Sequence, residues 1–463
     1  MNKESIAAKI VAQGELILDA PMLIGSGGSD DSKDQKDIHV LRNKAGIPYI
    51  PGTSLAGVLR DFIEADDPKI GELLFGTSKE TENSNNEMQS AISFYDVKLS
   101  NADTIIRDGV SIDAVTGVAM AHHKFDYEAV DSGAHGILQI EITLRGIHAE
   151  IKENVNAALA RLRDRLLGGF YLGAYTTKGL GRVHLKNLMI DYYDFTKPQD
   201  VLSWLKPKRG QAEQHYEYKG NTEKRVYAAS DFVVDAEFAL THSLIVRDYD
   251  KMARDEATSG ETSISAIMKT DSRGNYIIPG TSLKGVLRHR AEYILNKLGK
   301  DIKLVELMMG PSPKTMKLNP NEAKKRSRFR VDETAIKSGV VSKEQSRNRI
   351  DRFTGGTINT ALFTTKPVWQ QQPAEPVLKL HFAVTKATEW EAGLTLLLLK
   401  DLWLGRIAIG GEKSIGRGTL AGISAAISYQ GKKWQLHKQE SLNEAEAGEL
   451  QQFVTALAEG EEL

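Results

Sequence analysis

An α+β fold of two tandem ferredoxin-like modules is what the sequence predicts. Three observations predict it: a motif that occurs twice, a strand and helix order repeated around each copy, and an excess of glycine over proline that collects in loops. The motif is Tyr49-Ile50-Pro51-Gly52-Thr53-Ser54-Leu55-Ala56-Gly57-Val58-Leu59-Arg60, matched at ten of twelve positions by Ile277 to Arg288, 228 residues on. Chance does not supply such a match, so the chain is internally duplicated. Two shorter echoes keep nearly the same spacing: Ile112-Asp113-x-x-Thr116-Gly117 with Ile350-Asp351-x-x-Thr354-Gly355, and Gly173 to Arg182 with Gly410 to Gly418. Glycine numbers 40 and proline 13 in 463 residues, a balance that suits specific glycine loops better than a disordered tail. The expected organisation is a first module at 1–192, a linker at 193–229, a second module at 230–430 and an acidic tail at 431–463.

The elements follow from period and punctuation. Alternating apolar residues predict an opening strand at Lys9 to Asp19 and its counterpart at Phe232 to Leu240. After each Pro-Gly turn, Ser54 is placed to cap a helix whose stripe is Leu55, Val58, Leu59, Phe62 and Ile63. The second copy repeats it with Leu283, Val286, Leu287, Ala291 and Ile294. Strands are expected at Ala91 to Val97, Ile137 to Leu144 and Val183 to Tyr192, and a second helix at Asn154 to Leu167. Strand, helix, strands, helix, strand is a ferredoxin-like order with an antiparallel sheet. From Ser441 the tail reads as a solvated acidic helix.

Composition narrows the chemistry. Sixty Lys and Arg stand against 61 Asp and Glu, so no global positive field announces a nucleic-acid partner, and any basic groove must be offset by acid elsewhere. The absence of cysteine excludes disulfides, thiol nucleophiles and thiolate metal sites. The most apolar run, Leu394 to Leu404, is broken by Lys400 and Asp401, so no spanning segment and a cytoplasmic location are expected.

Several features could carry function, each with a plainer alternative. The first turn of a helix has open N–H groups and partial positive charge, so Gly52, Thr53, Ser54 and Arg60, with Gly280, Thr281, Ser282, Lys284 and Arg288, could hold a phosphate. They could equally be capped helix starts, and neither copy is a Walker loop. The late glycine loops, with Lys178, Gly179, Gly181 and Arg182 in one module and Gly410, Gly411, Lys413, Gly416, Arg417 and Gly418 in the other, would set cations beside exposed N–H groups. They could also be hairpin turns. Acids on the loops before each Pro-Gly turn, Asp30 to Asp37 and Asp248 to Glu256, suit a divalent cation or a solvated turn. The adjacent His122 and His123 diverge, and basic runs such as Lys324 to Arg330 read as solvated faces unless the fold aligns them with the loops.

The hydrophobic strand, the Gly/Asp loop, the Pro-Gly-Thr-Ser-Leu-x-Gly helix start and the closing Gly-x-Gly loop together resemble the RAMP superfamily of CRISPR effector proteins, in particular the backbone subunits of type III complexes. Two such modules in one chain are similar to the double-backbone subunit of type III-D complexes. The resemblance implies RNA-recognition-motif-like palms holding a guide CRISPR RNA, and β-hairpin thumb insertions within Asp108 to Val130 and Arg349 to Val368 that splay out target RNA nucleotides. It implies a loop aspartate needed for metal-dependent endoribonuclease cleavage of target RNA by its own 2′-hydroxyl. That aspartate falls on Asp37, with Mg2+ or Mn2+ as the expected metal and no metal ligands assigned. The second module departs from the pattern, with Ile264 or Ser265 at the matching place, so either Asp248 or Asp250 serves there or the module only binds. Other RAMP subunits and a large signature subunit are the implied partners, and no membrane. The alternatives are a non-catalytic structural backbone and a guide-precursor processing endonuclease using His122 or His242.

Overall fold

The computed structural model describes residues 4–26, 38–77, 88–113, 119–149, 151–206, 212–221, 225, 227–248, 264–312, 315, 318, 325–336, 338–372, 375–440 and 442–460. The chain is a mixed α+β protein with several antiparallel sheets. It divides into two compact units. Unit 1 comprises Met1–Arg107, Asp126–Thr176 and Leu180–Val226; unit 2 comprises Asp108–Phe125, Thr177–Gly179 and Tyr227–Leu463.

In unit 1 the opening strand β1 (Ile6–Leu18) is followed by α1 (Gly52–Glu64), β2 (Ile92–Phe94), the long hairpin strands β3 (Thr104–Ile112) and β4 (Ala119–Val130), of which Asp108–Phe125 is counted with unit 2, and β5 (His135–Arg145). Then come α2 (Lys152–Gly168), the short β6 (Phe170–Tyr171) and β7 (Arg182–Leu185), β8 (Asn187–Asp194) and β9 (Gln214–Lys219). The sheet runs β9-β8-β1-β5-β2, with every pairing antiparallel. Alternation in β1 buries Ala8, Ile10, Ala12, Leu16 and Leu18, and β5 buries Leu138, Ile140, Ile142 and Leu144. The helices bury the matching stripes Leu55, Leu59 and Ile63, and Val155, Ala158, Leu162 and Leu166.

Unit 2 repeats this order. Strand β10 (Phe232–Leu240) leads to α3 (Gly280–Leu298), β11 (Phe329–Val331) and the hairpin β12 (Gln345–Ile350) and β13 (Thr357–Lys366). Strand β14 (Leu378–Val384), α4 (Glu389–Trp403), β15 (Leu420–Tyr429), β16 (Lys432–His437) and α5 (Glu444–Glu459) follow. The sheet order β11-β14-β10-β15-β16 reproduces that of unit 1 strand for strand. Phe232, Val234, Ala236 and Phe238 of β10 are fully buried in one core with Leu283, Leu287 and Ala291 of α3 and Leu394, Leu398 and Leu402 of α4.

Several expectations are corrected. Ser54 does not cap α1; the helix begins at Gly52 behind an extended Pro51 (φ −62, ψ 139), which puts Ser54 inside the first turn. The strand expected over Ala91 to Val97 stops at Phe94, where Asp96 turns back to the helix. The strand expected over Val183 to Tyr192 is two strands, broken at Lys186, because Asn187 uses its Oδ1 to accept from the Glu15 amide. The segment read as a linker supplies a helix, Pro198–Trp204, and the edge strand β9. The tail helix α5 is docked, not solvated: Leu450, Phe453 and Leu457 are buried, and Phe453 meets the rings of Tyr429 and Trp434. Among the described residues, no helix is long and apolar enough to cross a membrane.

Candidate nucleic-acid interface

The two copies of the Pro-Gly-Thr-Ser motif do form matching helix starts, but the surroundings of those starts differ. In unit 1 the Gly52 amide donates to Asp96 Oδ1 at 2.8 Å, so a carboxylate of the protein sits where a helix N-terminus favours an anion. Beside it a groove of about 540 Å³ is lined by Glu15 and Asp96 together with Lys98 and His135. Gly52 itself is required by packing, because a Cβ there would lie 2.3 Å from the Phe94 carbonyl. Thr53 is exposed and Ser54 half-buried.

In unit 2 the start of α3 collects positive charge. Lys284 is 7 % exposed and its Nζ donates to Ser327 Oγ at 2.7 Å and to the Phe329 carbonyl at 2.8 Å. Burial, and then the neighbouring Lys178, Arg288 and Arg330, push its ammonium well below the ordinary lysine range. Lys178 is lowered too, by burial and by Arg288. Gly280 packs directly on the chain at Lys178, since a Cβ would lie 2.3 Å from that residue's carbonyl. Thr281 and Ser282 are half-buried on the same turn. Four cations therefore gather around one helix N-terminus, although Arg288 shares its charge with Glu292 at 3.2 Å and Glu306 at 3.8 Å.

The arginine that closes each motif is paired within its helix, Arg60 with Glu64 at 2.6 Å and Arg288 with Glu292, a duplicated i,i+4 bridge. Two further glycines of the motif are more telling. Gly57 and Gly285 sit in helix interiors, where glycine costs about 1 kcal/mol relative to alanine, yet a Cβ at either would meet nothing within 4 Å. Packing does not require them, and each lies one turn after Thr53 or Thr281 on the helix face that carries the motif.

The late glycine loops are the same structure made twice. Gly173 and Gly410 have φ 81 and 83, Gly179 and Gly416 have 92 and 84, and Gly181 and Gly418 have 76 and 81. Both include a single 3-10 turn, at Thr176–Lys178 and Lys413–Ile415. The structural register makes Ile415 the counterpart of Lys178, and Arg417 the counterpart of the buried Leu180. Their amides are not open to a ligand as expected: Gly181 donates to Pro21, Gly411 to Ile245 and Gly418 to Ser243. A Cβ at Gly181 or Gly418 would lie 1.9 Å from the carbonyl of Leu172 or Ile409, so these glycines serve backbone packing. Arg417 is 2 % exposed and Arg182 lies 3.6 Å from Asp19, so neither is a surface cation. Lys413 and Gly416 are exposed.

Asp37 and Asp250 lie outside the described residues. Asp248, expected on an open loop, is buried instead: Lys269 sits 3.5 Å from it and 3.3 Å from Asp108, and the Asp248 amide donates to Ile267. A lysine held between two carboxylates leaves Asp248 poorly suited to bind a metal. Among the described residues no three His, Cys, Asp or Glu side chains converge to hold one. His242 is exposed, with no such cluster about it.

The hairpins are present where thumbs are expected. In unit 2 the hairpin of β12 and β13 ends in a turn where Asp351 Oδ1 accepts from the amides of Phe353 and Thr354, at 2.8 and 2.9 Å. Phe353 is 98 % exposed at this tip, and Leu362 and Ile350 are exposed on the strands beside Arg349 and Arg352. A family model described as the RAMP superfamily matches residues 15–184 and 265–421. No curated protein matches the chain.

Proposed function

The chain belongs to the RAMP superfamily, with matched residues in both halves, and from that premise we propose that it is a guide-RNA-binding backbone subunit of a type III CRISPR ribonucleoprotein that binds and cleaves complementary target RNA. Membership implies a CRISPR-associated protein that binds guide RNA within a complex, and ferredoxin-like folds. Numbered along the chain without the hairpins, the central strands of each unit run 4-1-3-2, which supports two such folds in tandem, as in a double-backbone subunit.

The observation that carries RNA binding is the gathering of Lys178, Lys284, Arg288 and Arg330 at the start of α3. A phosphate placed there would meet favourable charge from this group. The bare helix faces at Gly57 and Gly285 would let a sugar-phosphate backbone approach, with Thr53, Thr281 and Ser282 as hydroxyl donors and Lys413 and Gly416 as further contacts. Phe353, held outward by its turn, suits a wedge between bases, since an apolar side chain so exposed has no role in the core. Sequence recognition is left to base pairing.

Cleavage is assigned to the first module, with Asp37 taking the proton of a target 2′-hydroxyl as that oxygen attacks the adjacent phosphate in line; the bond to the 5′-oxygen of the next nucleotide breaks, leaving a 2′,3′-cyclic phosphate and a 5′-hydroxyl that takes its proton from water. The Mg2+ or Mn2+ enters from the resemblance alone. The second module, with Asp248 committed to Lys269, is assigned to binding. Guide-loaded complex carrying Asp37→Ala should bind target RNA as the wild type does and no longer cut opposite the first module. Retained cutting there leaves the chain a purely structural backbone.

A further inference from the structure

Glu412 is a carboxylate shared by three arginines of unit 2. Arg347 Nη2 lies 2.7 Å from it, Arg417 Nε 3.1 Å and Arg247 Nη2 4.0 Å. One negative charge thus faces three positive ones, in a place where Arg417 is 2 % exposed and Glu412 only 13 %. The cluster is also short of acceptors. Arg347 Nε and Arg417 Nη1 are buried with no hydrogen-bond partner among the described residues, although Arg417 Nη2 reaches Gln345 and Thr365. Burial and the nearby Arg347 depress the Arg417 guanidinium, while Glu412 works against them. Phe363 covers one face of Arg347, with the guanidinium 5.0 Å from the ring centre, so its fork is fixed in orientation.

The carboxylate is held there by an unusual backbone. Glu412 has φ 57 and ψ 36, left-handed values that a residue with a Cβ adopts reluctantly. The counterpart in unit 1, Tyr175, shares the conformation (φ 56) but sets its ring against Tyr127, tilted by 50°, and the counterpart of Arg417 there is Leu180. The loop backbone is therefore duplicated while the charge cluster is not.

We propose that Arg247, Arg347 and Arg417 form a phosphate site in which the Glu412 carboxylate is an internal stand-in, displaced when a phosphate group takes its place. A carboxylate and a phosphate both offer two oxygens to a guanidinium fork, so the exchange conserves the geometry. A phosphate brings a third and a fourth oxygen, which can meet the donors that Glu412 leaves unsatisfied. The shared chemistry is a phosphate monoester or diester; that the diester comes from an RNA backbone rests on the function proposed above.

The test uses the full chain with two probes. The first is inorganic phosphate, read as the rise in Tm relative to chloride at equal ionic strength. The second is a single-stranded uridylate 20-mer, titrated between about 50 and 200 mM salt, the range over which phosphate contacts are most visible. Glu412→Gln should bind the RNA more tightly and steepen the log–log salt slope by about 0.7, the value of one added single-strand contact, whereas Arg347→Ala should flatten it by about as much. If Glu412→Gln fails to fold, Arg247→Ala, at the exposed rim, should weaken binding and shrink the phosphate-induced rise. A folded Glu412→Gln with unchanged or weaker binding, or an Arg247→Ala indistinguishable from wild type with both probes, overturns the site. A wild-type chain that ignores the RNA but gains Tm from phosphate, with the gain lost in Arg347→Ala, upholds the site and sinks the RNA-binding function.

Discussion

At the scale of the residue, the informative groups are those whose chemistry disagrees with their surroundings. Gly57 and Gly285 weaken helices that nothing forces to contain glycine. Replacing either by alanine should stabilise the chain by about 0.5–1 kcal/mol, and, if an RNA backbone runs over these faces, should weaken RNA binding at the same time. Thermal melts and RNA titrations of the two variants check both signs; stabilisation with unaltered binding would leave the glycines without a function. Lys284 has a folded pKa depressed below its unfolded value by burial and three neighbouring cations. The unfolded chain therefore binds the proton more tightly, so this group's contribution to stability rises with pH from the depressed value up to the ordinary lysine range. Lys284→Met should fare best against wild type at low pH and lose that advantage progressively as pH rises from the depressed pKa toward the ordinary lysine range. A Tm difference independent of pH would contradict the cation cluster. Much of this scale was hidden from sequence. Ten identical residues make the two helix starts look equivalent, yet Asp96, 44 residues downstream of Gly52, closes one of them. Arg417 reads as a surface cation beside a glycine loop, while the register places it where unit 1 has a buried leucine.

Elements were more legible than their surroundings. The apolar stripes of α1 and α3 and the alternation of β1 and β10 could be read directly, because one face of each is buried throughout and period records burial. The short strand breaks at Asp96 and Lys186 could not, since each is made by a hydrogen bond to a residue far along the chain. The docking of helix α5 is not legible in the sequence, because its acids outnumber its three buried apolar residues and because the feature that receives it is an absence. Gly393 of α4 lets the Phe453 carbonyl approach to within 2.1 Å of where a Cβ would stand. Gly393→Ala should therefore cost about 1–3 kcal/mol through displaced packing of α5, despite alanine being the better helix former. A melt in which this variant equals or exceeds wild type would mean that α5 is not seated on α4 as described.

On the scale of the whole molecule, duplication supplied one sheet order twice, while the side chains around the two copies differ. The candidate cutting residue belongs to the first module, while the cation cluster and the Glu412 arginines belong to unit 2. Balanced composition, 60 basic against 61 acidic residues, agrees with this only if charge is segregated, as it is around α3. Some of the predicted cations are paired within the protein, Arg60 with Glu64 and Arg182 with Asp19, so composition and motif alone overcount the cations open to a phosphate. The central claim is that this near-neutral chain holds single-stranded RNA through its phosphates. The most direct measurement is the affinity of the purified full-length chain for a single-stranded RNA of arbitrary sequence as a function of salt. Binding that is indifferent to base sequence and falls with a log–log slope of about −2 to −3.5, equivalent to roughly three to five phosphate contacts, is the predicted result. No binding at about 50 mM salt, or binding that salt leaves unchanged, would contradict it.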